Sequence, residues 1–471
     1  GTPDPAPAQP AGKDLPVRPA AVTDISNIYK VAGASGGIPK ADLPKARAAF
    51  EALAKFFADT VSHPKVHAFP QEFAPNPPPL GSPPSVDKLI AEINSFLIVP
   101  SPVPAYYYPN GSVLYNVSTN RNDAEYVREL GAALDKALAE VIAKHPERVV
   151  RVNAARLLAA AARSGAHAHY PTVTGLIAGK DTDPEVKYYA FHAAANLLAA
   201  YDLNDPKSRR HSNDPAPVGA LLAALQESIT KQDAILKPAP VEFGKGDVRA
   251  VLPPDMLPPL ALIRRQAVKA LAQCRFAEFE VEKGKKVYPA HTLALVALGA
   301  VAVDSFKIEN DKLEAAKVPT GPADAIEAVL GICNMTPPAG QKVVQAKYAG
   351  AMVDVVATGV YSWAQVKKSN DKDKTMAWKG TALRLGDALQ TWKGVFDPLY
   401  VPGQTADPKI APAVVYQLAD SITVNVVNPL GGTGDLQPGR LEDFRTNTLQ
   451  KNPNYSLAPF PDPGAPTLPK R

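Results

Sequence analysis

The sequence predicts an all-α chain: a helical-repeat scaffold with small β-hairpin insertions and proline-rich extended arms. Two observations carry this, the uneven placement of proline and an Ala/Leu-rich pattern that recurs along the middle. Of 471 residues, 49 are Pro, about twice the usual ~5%. Residues 1–120 hold 20 of them, 121–236 hold 6, 237–260 another 6, 261–400 only 6, and 401–471 the last 11. Proline has no N–H to give and its ring clashes with the preceding helical turn. Long helices are therefore expected in the proline-poor stretches, and extended or turn segments in the rich ones.

The divisions that follow are an extended arm over 1–35, then N-terminal helices, a proline-rich loop and a Tyr-rich hairpin over 36–120. An α-helical repeat domain spans 121–430 with an insertion at about 203–260, and a second proline-rich arm occupies 431–471. Within the repeat domain, Asp123 to Lys144 places Ala124, Val127, Leu130, Leu134, Leu138, Val141 and Ile142 at a period of three and four, with Asp123 as cap and Pro146 just past the end. Val149 to Arg163 follows and stops at Ser164-Gly165. A short helix is expected at Pro171 to Ala178. Asp183-Pro184 opens another that runs to about Ala200, with Asp at the N-cap and Pro in the first turn, where free N–H groups are not needed. Pro217 to Thr230 puts Leu221, Leu222 and Leu225 on one side. Helices resume at Ala261 to Arg275 and continue at 289–304, 322–333, 339–358, 375–393 and 411–427. Hairpins are expected at 105–115, around Asn110-Gly111, at 241–248, and at 279–288, around Gly284.

Three segments then repay comparison: Arg151-Val152-Asn153-Ala154-Ala155-Arg156-Leu157-Leu158, Phe191-His192-Ala193-Ala194-Ala195-Asn196-Leu197-Leu198, and Arg264-Arg265-Gln266-Ala267-Val268-Lys269-Ala270-Leu271. The first two are offset by 40 residues, and each follows a Pro-Glu and a Val-Arg or Val-Lys. With Asp183-Pro184-Glu185-Val186-Lys187 and Ala190 leading into Leu197-Leu198, the chain resembles the HEAT-repeat family over about 121–305, and more weakly to about 430. The resemblance implies stacked helix pairs and a protein-binding surface. It also leaves room for a minority role as an enzyme, or as a nucleic-acid binder on a basic face.

The totals exclude several classes. Two cysteines cannot build a disulfide scaffold or a Cys-only metal cluster. The longest apolar run, Leu293 to Val303, is about half the ~20 residues a membrane-spanning helix needs, so no membrane span is expected. A net charge of +5 is mild, and Lys283-Gly284-Lys285-Lys286 and Arg209-Arg210 read as solvated loops, which disfavours nucleic acid. Gly1 to Ala8 reads like the start of a mature exported protein. That places the chain in the periplasm or cell envelope of a bacterium, with the cytoplasm as the alternative.

Each chemical candidate has a bland competitor that outweighs it. His63 and His67 stand four apart, but Pro64 makes their segment a helix end. His167-Ala168-His169 follows Gly165 at a turn, and His192 sits in an Ala-rich helix, as a core histidine would. Asn370-Asp371-Lys372-Asp373-Lys374 lacks the Gly and Glu of a calcium loop. Gly431-Gly432-Thr433-Gly434 has no Lys-Ser/Thr after it, so it is a linker rather than a phosphate cradle. Cys274 and Cys333 could pair in an exported chain or remain buried thiols. No catalytic, cofactor or metal residue is therefore assigned, and no enzyme activity is expected. Tyr106, Tyr107, Tyr108 and Tyr115 are the partner-binding candidates, because tyrosines give a surface large contact area with a polar tip. The expected function is a structural subunit that binds other protein subunits. The alternatives are an enzyme with a His-based metal site, and a nucleic-acid binder using Arg148, Arg151, Arg156, Arg264 and Arg265 on one face.

Overall fold

Helices form where proline is sparse, and their apolar stripes meet in one contiguous core. The computed structural model describes residues 14–20, 38–67, 84–97, 121–179, 182–199, 216–236 and 257–274. It adds short pieces at 279–280, 287–288, 306–309, 312–315, 327–328 and 330–331, and positions 25, 28, 384, 387 and 388. The described helices are α1 (Leu43–Val61), the single turn α2 (Pro64–His67), α3 (Val86–Leu97), α4 (Arg121–Lys144), α5 (Arg148–Ala161), α6 (His169–Ala178), α7 (Pro184–Ala199), α8 (Ala216–Leu236) and α9 (Leu257–Leu271). Together they form a compact all-α bundle.

Helix ends follow local chemistry. Asp183 accepts from the backbone N–H of Glu185 at 2.9 Å, as expected of an N-cap ahead of Pro184. Between α5 and α6 the chain tightens into a 3-10 turn, Ala162–Ser164, closed by Gly165 at φ 69°, a left-handed conformation that costs glycine nothing. Several boundaries move from expectation, and α8 runs on past Thr230 to Leu236. α4 begins at Arg121, so Asp123 lies inside its first turn rather than capping it. α6 begins at His169, because Pro171 is tolerated within a first turn. For the same reason Pro258 and Pro259 are accommodated at the start of α9.

Packing is ordered by neighbour. α4 lies along α5, α6 along α7, and α8 along α9, while α5, α7 and α9 pack side to side, as do α6 and α8 and, more lightly, α4 and α6. α1 lies on α4, and α3 on α5. The recurring segments sit in equivalent places: Ala154, Ala194 and Ala267 are buried, as are Leu158, Leu198 and Leu271. Small side chains at the first set let helix axes approach, and leucines at the second fill the grooves. Polar ties cross the same seams. Asn196 Nδ2 donates to the Ala159 carbonyl at 2.7 Å, and the Tyr170 hydroxyl to the Leu197 carbonyl at 3.4 Å. At the α1–α4 seam, Phe50 meets Tyr126 edge-on at 5.2 Å, and Arg47 grips Glu129 with two hydrogen bonds of 2.8 and 3.0 Å. Each buried Leu or Phe contributes about 1.5–3 kcal/mol and an exposed ion pair about 0–1. The apolar seams therefore dominate.

The fold class needs one correction. β-hairpin insertions were expected as part of the architecture, yet the fold is α-helical. Among the described residues strand is confined to two minimal ladders. One pairs Phe279 with Tyr288 and Glu280 with Val287; the other, unexpected, joins Phe306–Glu309 to Lys312–Ala315. Each is a lone pair of strands, too small to act as a structural layer on its own. The hairpins expected at 105–115 and 241–248, the helices expected beyond 331 and the arm at 431–471 fall outside the described residues, apart from Arg384, Asp387 and Ala388.

Part of the N-terminal arm is placed. Residues 14–20 adopt neither helix nor strand. Leu15 packs against the core edge, and Ile25 is fully part of the core. Arg18 reaches Glu92 of α3 at 2.7 Å.

Candidate functional site

Polar groups that enter a helical core need partners, and one such group gathers between α4 and α6. The α4 stripe Val127-Gly131-Asp135-Leu138-Ile142 runs at helical spacing with a carboxylate in its middle. Asp135 is buried. One oxygen accepts from His169 Nδ1 at 2.9 Å and the other from the Thr172 hydroxyl at 2.7 Å. Because a carboxylate can only accept, Nδ1 carries the hydrogen. His169 is 0% exposed, and its Nε2 is buried with no hydrogen-bond partner. That nitrogen faces Gly131: a Cβ built there would lie 3.4 Å from Nε2 and 3.5 Å from the Ser164 hydroxyl. Ser164 itself accepts from the Ala166 N–H at 3.2 Å. Ser, His and Asp thus gather at one seam, but all three are buried. The arrangement fastens α6 to α4.

A second cluster lies at the surface of α5, α7 and α9. His192 packs 4.7 Å from the Tyr188 ring and 6.1 Å from that of Tyr189. Arg156 lies over Tyr189 at 5.8 Å and pairs with Asp87 at 2.8 Å. Lys269 pairs with Glu327 at 3.5 Å, which Arg384 also grips at 2.9 Å. Burial, and then the charge of Lys269, hold His192 below the ordinary histidine value of 6.5. As pH falls, the unfolded chain therefore takes up this proton first. Stability from His192 is complete above about 6.5, and it is lost as pH falls from there through the depressed folded value. Replacing His192 with Phe should flatten the urea midpoint between pH 7 and 5 relative to wild type. Parallel curves for the two proteins would refute this.

The remaining candidates resolve individually. His63 is buried at the end of α1, where its Nδ1 accepts from the Lys65 N–H at 3.2 Å. His167 and His169 are not in an extended segment. Backbone bonds from His169 to Ala166 and from Tyr170 to His167 wind them into a turn, so rings two apart diverge. Among the described residues no three His, Cys, Asp or Glu side chains converge as a metal ligand set. Of the five arginines of the nucleic-acid alternative, Arg264 lies inside the bundle, 1% exposed, and Arg265 is half-buried. Arg148 engages Asp183 and Glu185, Arg151 donates to the carbonyls of His145 and Pro146, and Arg156 is held by Asp87. Cys274 is a buried thiol. Cys333, Asn370 to Lys374, Gly431 to Gly434 and the partner candidates Tyr106, Tyr107, Tyr108 and Tyr115 lie outside the described residues. No described helix is long and apolar enough to cross a membrane.

The Asp135–His169–Thr172 network was missed by motif reading because its members are 34 and 37 residues apart. A usable signal existed: one acid interrupting an otherwise apolar i, i+4 stripe. What fold and sites define together is an all-α helical bundle with one buried polar network between α4 and α6 and a second polar cluster at the surface of α5, α7 and α9. No family model, curated protein or solved structure matches the chain.

Proposed function

We propose that this chain is a non-catalytic scaffold subunit, a HEAT-like array of stacked helix pairs that binds other protein subunits of a larger assembly. The observation that carries the reading is the order of packing. Each pair α4/α5, α6/α7 and α8/α9 touches its neighbours like on like, with Ala154/Ala194/Ala267 and Leu158/Leu198/Leu271 at matching depths. An array of this kind presents long continuous faces and gains stability from each neighbouring interface. The proposed compartment is the bacterial periplasm or cell envelope, with the cytoplasm as alternative.

The test is the mass of the native particle with identification of the chains that co-purify. A stable hetero-assembly is expected, and a monodisperse monomer with no partner would overturn the reading. Removing 430–471 should leave the helical circular dichroism intact while weakening assembly. At the other end the cut belongs before Asp14, since Leu15 and Ile25 are packed on the core. Normal assembly by both truncated chains would sink the role of the arms.

A further inference from the structure

The placed part of the N-terminal arm lies against the edge of the bundle at α3. Leu15 packs at the core edge, Pro16 and Pro19 are half-buried, and Val17 between them is 89% exposed. Prolines three apart hold an extended segment in a narrow range of shapes, so docking orders little that was free. Arg18 supplies the specific contact. Its guanidinium pairs with Glu92 at 2.7 Å and lies 5.7 Å from the centre of the Phe96 ring. Phe96 in turn packs against Phe57 of α1 at 6.5 Å, so the ring is anchored before any ligand arrives. An apolar edge for Leu, then an acid and an aromatic ring for Arg, together read the pattern Leu-Pro-x-Arg.

That pattern occurs twice in the chain: Leu15-Pro16-Val17-Arg18, and Leu468-Pro469-Lys470-Arg471 in the other proline-rich arm. We propose that the Glu92/Phe96 face of α3 is a Leu-Pro-x-Arg receptor, and that its second ligand is the Leu468–Arg471 segment of another copy of this chain. Residues 15–18 occupy the face within one copy, and exchange for 468–471 links copies. The proposal deepens the scaffold reading by naming one partner. It rests on that reading only for the role of the arms, since the face and the motif stand on contacts within the chain.

The probe is a labelled peptide, Gly-Ala-Pro-Thr-Leu-Pro-Lys-Arg, titrated into full-length protein and followed by fluorescence anisotropy. Tethered ligands compete at high effective concentration. The Arg18→Ala/Arg471→Ala chain should therefore bind the peptide about tenfold more tightly than wild type. Adding Glu92→Gln should remove that gain, and a peptide ending in Ala instead of Arg should bind neither protein. Circular dichroism confirms that each variant is folded. In sedimentation velocity, wild type should self-associate with rising concentration and Arg471→Ala should not. Peptide affinity that survives Glu92→Gln, or is unchanged by freeing the face, overturns the receptor. Wild type that stays monomeric overturns the link between copies. Partner chains that still co-purify with Arg471→Ala are scored apart, so failure here and failure of the scaffold reading give different results.

Discussion

Replacing His169 with Leu is expected to cost about 1–3 kcal/mol, the range for leaving a buried acceptor without its partner. The loss is large because of what remains. Asp135 would keep the Thr172 hydroxyl but lose the imidazole, leaving a buried acceptor in an apolar seam. Two companion variants separate this from a simple packing defect. Asp135→Asn retains an oxygen for Nδ1–H and an amide for Thr172, so it should cost only about 1 kcal/mol. Asp135→Leu/His169→Leu leaves no orphaned group and should be more stable than His169→Leu alone, giving a favourable coupling of about 0.5–3 kcal/mol. Equilibrium urea unfolding of these proteins, together with Asp135→Leu alone to complete the cycle, measures all of this. If the two single substitutions simply add, the network is not the unit that holds α6 to α4.

Much of the helical body was legible because proline and glycine punctuate it. The ends at Lys144, before Pro146, and at Ser164, before the left-handed Gly165, follow from residues that stop a helix where they stand. The start at Pro184 follows from one that can only begin it. α6 and α9 were each clipped by two to four residues because a proline was read as a wall, when in a first turn it is harmless. The core stripe of α8 was read correctly at Leu221, Leu222 and Leu225. What was not legible is whatever depends on register between helices. Arg264 stands where the first two repeats carry Arg151 and Phe191, and only the nucleic-acid alternative put it on a shared basic face. In the fold the equivalent positions turn inward to different depths, with Phe191 and Arg264 buried and Arg151 half-exposed. Asp135 and His169 likewise become partners only once α4 and α6 are aligned, and no local rule fixes that alignment.

Gly131 is the position where two general expectations collide. It lies inside α4, and glycine in a helix interior is less stable than alanine by about 0.5–1 kcal/mol, so Gly131→Ala would ordinarily stabilise. Here a Cβ would stand within van der Waals contact of the Ala166 Cβ, and beside His169 Nε2 and the Ser164 hydroxyl. The obstacle is not the far end of a flexible side chain. Ala166 is a fully buried methyl one residue past the left-handed Gly165, so relief requires the backbone of the α5–α6 connection to move. Overpacking of this kind costs about 1–3 kcal/mol, which exceeds the propensity gain, and Gly131→Ala should unfold at lower urea than wild type. Adding Ala166→Gly removes the methyl in the way. The double variant should recover most of the loss, although Ala166→Gly alone should destabilise by leaving a void at a buried turn. That reversal of sign between the single and double backgrounds identifies the close approach of α4 to the 164–166 turn as the cause. A Gly131→Ala protein as stable as wild type would mean that the helices have room to spare at this seam, and the buried His169 network would then need another reason for its register.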